Sequence, residues 1–107
     1  MNFSTAQVQQ IPGWVFIEED TLRARIHGHT FWNIKGKLAE AFPLEDFLFD
    51  PLLFTLNNPE DYSGDFNGTI GRGQISLEWP KTGATISGRS PVGDFEIKGT
   101  TKVDYSP

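Results

Sequence analysis

From Thr21 onward the chain alternates between apolar and polar residues with a period of two. Leu22, Ala24 and Ile26 fall on one face, and Arg23, Arg25 and His27 on the other. Trp32, Ile34, Gly36 and Leu38 continue the apolar face, with Asn33, Lys35 and Lys37 as the polar alternates. Successive side chains on a strand point to opposite faces, so this spacing predicts two half-buried strands. Keeping both apolar sets on one side requires an even residue sum between partners. A three-residue loop at Gly28-His29-Thr30 satisfies that and sets Ile26 opposite Trp32 and Ala24 opposite Ile34. A two-residue loop at Gly28-His29 would turn the second strand over.

The second half repeats the pattern. Phe66, Gly68 and Ile70 share a face, as do Ile75, Leu77 and Trp79, then Ala84, Ile86 and Gly88, then Phe95, Ile97, Gly99, Thr101, Val103 and Tyr105. Their alternates are almost all polar. Gly71-Arg72-Gly73, Pro80-Lys81-Thr82-Gly83 and Ser90-Pro91-Val92-Gly93 punctuate these runs as turns. Upstream, the polar segment 1–12 is expected to be poorly ordered. Pro12-Gly13 then precedes Trp14-Val15-Phe16-Ile17, which reads as a buried strand, and Leu52–Leu56 reads as another, closed by Asn57-Asn58-Pro59.

One segment reads differently. Leu44, Phe47 and Leu48 are spaced i, i+3, i+4, with Pro43 suited to a first helical position and Glu45 and Asp46 in the first turn. The spacing predicts one short helix over 43–49, ended by Asp50-Pro51. If that helix plugs the interior, the protein acts through its surface. If it lies outside, the small inward residues leave a cavity between Trp32 and Trp79 that suits an apolar small molecule.

An apolar-polar-glycine unit recurs, as in Ile34-Lys35-Gly36, Phe66-Asn67-Gly68, Ile86-Ser87-Gly88 and Ile97-Lys98-Gly99. Glycine weakens a strand interior by about 0.5–1 kcal/mol relative to alanine. Strong curvature is the usual reason to keep several of them. The expected fold is therefore all-β: a small antiparallel barrel or strongly curved sheet of about seven to nine strands in a meander, as one domain spanning 1–107. Phe66–Thr69 and Ile97–Thr100 are similar to strand units of streptavidin-type and lipocalin-type barrels. That resemblance covers these two stretches alone and brings no ligand-binding pattern with it.

Composition narrows the chemistry. The chain has 107 residues and no cysteine, which excludes a disulfide scaffold, a Cys-ligated metal and a cysteine nucleophile. No apolar run is long enough for a membrane helix and no leader pattern is visible, so a cytoplasmic protein that does not enter a membrane is expected. His27-Gly28-His29 supplies two imidazoles but no third ligand of that kind, so a metal-dependent enzyme built on His27 and His29 ranks third among the readings. Asp61–Gly68 has alternating oxygen donors, yet Phe66 stands where a calcium loop needs glycine. The carboxylate pairs Glu45/Asp46 and Glu60/Asp61 are adjacent and point apart, and no serine sits in a nucleophile elbow. The expectation is no enzyme, no cofactor and no bound metal.

The charge layout adds more. The formal net charge is −5, which argues against general nucleic-acid binding. Yet Arg23, Arg25, Lys35 and Lys37 are gathered in one hairpin without an acid, while the segment 38–71 carries seven acids and no base. Arg23 and Lys35 face each other in the preferred register, a mildly destabilising arrangement that is either tolerated on an exposed face or met by a partner of negative charge. The leading expectation is a non-enzymatic binding protein that works by protein–protein contact, in the manner of inhibitors, immunity proteins or host antagonists. Its candidate surfaces are the basic hairpin (Arg23, Arg25, His27, Lys35, Lys37) and the acidic segment (Glu45, Asp46, Glu60, Asp61, Asp65). The alternative is a small-ligand barrel lined by Trp32, Phe66, Trp79 and Phe95. The outward apolar Phe31 leaves homodimerisation open.

Overall fold

A computed structural model describes residues 8–27, 31–42 and 46–106; Phe31, Tyr105 and Ser106 enter through their backbone alone. Eight strands form: β1 (Gln9–Glu18), β2 (Thr21–Ile26), β3 (Phe31–Leu38), β4 (Phe47–Leu56), β5 (Gly64–Gly71), β6 (Gln74–Trp79), β7 (Ala84–Arg89) and β8 (Phe95–Ser106). A 3-10 turn, Pro59–Tyr62, joins β4 to β5.

The strands close into an antiparallel barrel in the order β1-β2-β3-β8-β5-β6-β7-β4. The expected meander is therefore corrected. Three hairpin-linked strands are followed by a fourth that returns beside the first, giving β4-β1-β2-β3 and then β8-β5-β6-β7, two Greek keys in succession. Adding four to each strand number reproduces the same cyclic order, so the topology has a two-fold pseudo-symmetry. Each half lends its fourth strand to the seam with the other. Streptavidin and lipocalins close by up-and-down order instead, so the local likeness of Phe66–Thr69 and Ile97–Thr100 does not extend to topology.

The β2–β3 register places Ile26 opposite Trp32, Ala24 opposite Ile34 and Arg23 opposite Lys35, as parity requires; the loop 28–30 lies outside the described residues. Regular structure starts earlier than expected, because Gln9 to Gly13 already pair with β4. Within Trp14–Ile17 only Val15 and Ile17 are fully buried, while Trp14 and Phe16 are half-buried on the outer face.

The helix expected over 43–49 is replaced, from Phe47 on, by the start of β4; residues 43–45 lie outside the described part. The strand also carries a bulge. Gly13 pairs with Leu52 and Val15 with Phe49, so Asp50 and Pro51 together oppose Trp14. An extra residue moves every later side chain to the opposite face. Hence odd positions Phe47 and Phe49 turn inward before the bulge, and even positions Leu52, Phe54 and Leu56 after it. Leu48 and Leu53 are left exposed. Leu48, outward yet apolar between inward Phe47 and Phe49, removes the alternation that marks a strand, and so the spacing before the bulge imitates a helix. Pro51 sits where a missing N–H costs no regular ladder bond.

The interior is packed by Val15, Ile17, Leu22, Ile34, Phe54, Ile70, Ile75, Leu77 and Ile86, none more than 1% exposed. Glycines stand where neighbouring strands press together: a Cβ on Gly36 would lie 2.6 Å from Thr101 Cγ2 and 2.7 Å from the Thr100 carbonyl. One barrel end is closed by the 3-10 turn rather than by a helix. Tyr62 is fully buried, edge-on to Phe54 and to Trp79, and Trp79 in turn stacks on Phe66 at 5.1 Å. Trp79 Nε1 donates to Thr101 Oγ1 at 2.8 Å, and Thr101 Oγ1 donates to the Tyr62 carbonyl at 2.5 Å. The Tyr62 hydroxyl lies 2.6 Å from the Thr85 carbonyl and 3.0 Å from that of Thr55. Among the described residues no buried side-chain polar atom lacks a partner. The other end is covered by residues 39–42, where the Phe42 ring meets Phe95 edge-on at 5.3 Å.

Candidate functional site

The outer face of β1, β2, β3 and β8 gathers the basic hairpin into a grid. Its central row runs Phe16, Arg23, Lys35, Lys102 across four strands, each opposite the next. Above it lie Trp14, Arg25, Asn33 and Asp104, and below it Glu18, Thr21, Lys37 and Thr100. Neighbouring strands are about 4.8 Å apart, so Arg23, Lys35 and Lys102 occupy about 10 Å of surface. Like charges directly opposite one another are destabilising, and here there are two such pairs in a row.

Neighbours compensate in part. Lys35 Nζ lies 3.7 Å from Asp104 and Lys37 Nζ 3.3 Å from Asp20, with all four side chains well exposed. Exposed pairs of this kind are worth about 0–1 kcal/mol. Arg25 Nε donates to Asn33 Oδ1 at 3.1 Å. The Arg23 guanidinium sits 5.5 Å over the Phe16 ring, an attraction of about 0.5–1 kcal/mol at an exposed site. Among the described residues, neither Arg23 nor Lys102 has a carboxylate in ion-pair range.

The row continues on the other side of Phe16. Leu48 of β4 pairs with Phe16, and Leu53 with Pro12. Leu48 and Leu53 are 51% and 37% exposed, which matters because large aliphatics on an outer face are normally replaced by polar residues. Beside them β7 pairs with β4 only over Leu52–Thr55. The opening of that seam leaves a groove of about 680 Å³ lined by Pro12, Leu48, Pro51, Leu53 and Arg89 among others. Apolar groove, aromatic pair and cation row thus form one continuous surface.

The remaining candidates are scattered. Asp46 precedes β4 at one end of the barrel, Glu60 and Asp61 lie in the 3-10 turn at the other, and Asp65 is on β5; Glu45 lies outside the described residues. Asp61 accepts from the Asn58 amide at 3.1 Å and Asp65 from Thr100 at 3.0 Å. The acidic segment is therefore continuous in sequence but not in space. Of the pocket candidates, Phe66 and Trp79 are stacked in the core, Phe95 packs on Phe42, and Trp32 is half-buried opposite the Tyr105 backbone. His27 is exposed after β2, and His29 lies outside the described part. Among the described residues no group of three or more His, Cys, Asp or Glu is placed to hold a metal ion, and no helix is long and apolar enough to cross a membrane.

Sequence reasoning missed four members of this surface. Lys102 has the right parity on β8, but only the barrel order makes β8 the neighbour of β3. Trp14 and Phe16 stand in a wholly apolar run, where alternation offers no contrast. Leu48 stands in the apolar run Phe47-Leu48-Phe49, where a helical spacing assigns it to the core. Comparison with protein-family models, with curated proteins and with solved structures finds no match for this chain.

Proposed function

We propose that this is a non-enzymatic binding protein of the cytoplasm, which acts through protein–protein contact made by the outer face of β1, β2, β3 and β8. The observation that carries the reading is the adjacency of half-exposed Trp14 and Phe16, exposed Leu48, and the in-register cations Arg23, Lys35 and Lys102. Aromatic side chains and arginine at the centre of a surface, with charges around them, are the composition of interface hot spots. A tightly filled barrel interior and closed ends supply a rigid platform for them. Retaining two like-charge contacts costs folding stability, and a negatively charged partner removes that cost on binding.

The test is quantitative capture from native lysate with the wild-type protein beside the double variant Arg23→Glu/Lys102→Glu, read by mass spectrometry. A protein enriched stoichiometrically by the first and lost with the second supports the reading. Identical capture profiles from two folded proteins refute it.

A further inference from the structure

Resting on that reading and deepening it, we infer that the partner presents an acidic segment with one large apolar anchor residue. The anchor seats against Leu48 and Leu53 in the groove, and the segment's carboxylates meet Arg23, Lys35 and Lys102. The two ends of the central row fix this chemistry. Its β4–β1 end, Leu48 and Phe16, continues into a groove whose lining includes Pro12, Pro51 and Leu53 beside Asp50 and Arg89, and offers apolar surface to an aliphatic or aromatic side chain. Its β2–β8 end offers three cations over about 10 Å, enough for two or three carboxylates at extended-chain spacing.

The same details disfavour a nucleic acid. The Arg23 guanidinium already lies over the Phe16 ring, so that face is not open to a stacking base, which single-strand binders need. Asp104 and Asp20 flank the cation row on either side along the strands, so the patch accepts a short anionic stretch and not a continuous polyanion. The protein as a whole carries a net charge of −5, which repels a long polyanion while tolerating a short acidic segment at one basic patch.

The experiment uses the full chain and fluorescence anisotropy. The probes are a short fluorescein-labelled peptide of Glu and Ser with one central Phe, the same peptide with Ser at that anchor position, and labelled oligothymidylate. The anchored peptide is expected to bind about tenfold more tightly than the unanchored one. Lys102→Glu is expected to weaken it about tenfold, and Leu48→Ser likewise, both positions being exposed and tolerant of change in the fold. Lys81→Glu, the same charge change in the distant β6–β7 turn, is expected to leave binding unaltered. Equal affinity for the two peptides overturns the anchor, and equal loss in Lys81→Glu overturns the site. Failure of every peptide, with lysate capture still dependent on the face, overturns this inference and leaves the binding reading standing. Preferential binding of oligothymidylate overturns both. Sedimentation velocity adds the last arm: a wild-type dimer dissolved by Lys102→Glu assigns the face to a second copy of this chain and likewise overturns the inference.

Discussion

Replacing Thr101 by valine removes one hydroxyl from the barrel with almost no change of volume. That hydroxyl is 2.8 Å from Trp79 Nε1 and 2.5 Å from the Tyr62 carbonyl, so it ties a core indole to the turn that closes one barrel end. Valine leaves the indole N–H buried without an acceptor, at a cost of about 1–3 kcal/mol. The Tyr62 carbonyl loses a donor as well, while the added methyl returns about 0.8 kcal/mol of apolar burial. The expected net loss is about 2 kcal/mol. For a domain of this size it corresponds to a fall in Tm of roughly 8–16 °C. Urea denaturation followed by tryptophan fluorescence and far-UV circular dichroism measures it, with an unchanged m-value as the sign that only stability moved. In a Trp79→Phe background no indole N–H remains to be orphaned, so the same substitution should cost at least about 1 kcal/mol less. A loss under about 0.5 kcal/mol with a native spectrum, or strict additivity in the double variant, refutes the claim that this network holds the end closed.

Tyr62 should govern part of the alkaline limb of stability. Burial, and secondarily the charge of Asp61, hold its phenol well above the ordinary value of 10.0. The folded state thus prefers the protonated form, and its contribution is complete below pH 10 and lost as pH rises above it, by about 1.4 kcal/mol per pH unit. The stability gap between wild type and Tyr62→Phe, measured by urea titration, should therefore narrow above pH 10 and stay constant below. Gly36→Ala should destabilise by about 1–3 kcal/mol through the contacts its Cβ would make with Thr101 and Thr100; a neutral result in chemical denaturation would show that the β3–β8 seam can relax. Lys102→Glu should raise stability by about 0.2–1 kcal/mol, because it turns a like-charge pair with Lys35 into an opposite-charge one. A loss of stability there would remove the argument that the row is kept for binding.

The candidate site was legible as far as one hairpin reaches. Arg23 and Lys35 could be placed opposite each other because alternation and loop length fix a local register, and the structure pairs them so. Lys102 joins them from 67 residues further along than Lys35, the difference between positions 102 and 35, through a seam that no local pattern encodes. Trp14 and Phe16 show the complementary limit. In an unbroken apolar run, hydrophobicity cannot tell which side chains face the core, and the side is decided by the neighbours that β2 and β4 supply. The helix expectation failed at Leu48, which is outward yet apolar between inward Phe47 and Phe49 and so leaves no polar alternate to mark a strand; the bulge at Asp50-Pro51 then shifts the period halfway along.

Period-two alternation by itself determined that the chain is all-β, where its turns fall, and which faces of β2, β3 and β5–β8 are buried. These follow from nearest-neighbour geometry on a pleated backbone, which is written directly in residue order. Tertiary structure alone decided that the strands wind as two Greek keys rather than a meander, that the 3-10 turn around Tyr62 helps close the barrel, and that cations from β2, β3 and β8 meet aromatics from β1. The physical reason is that strand neighbours across a closing seam are chosen by the packing of the whole core, not by the residues that happen to come to lie side by side on the outside.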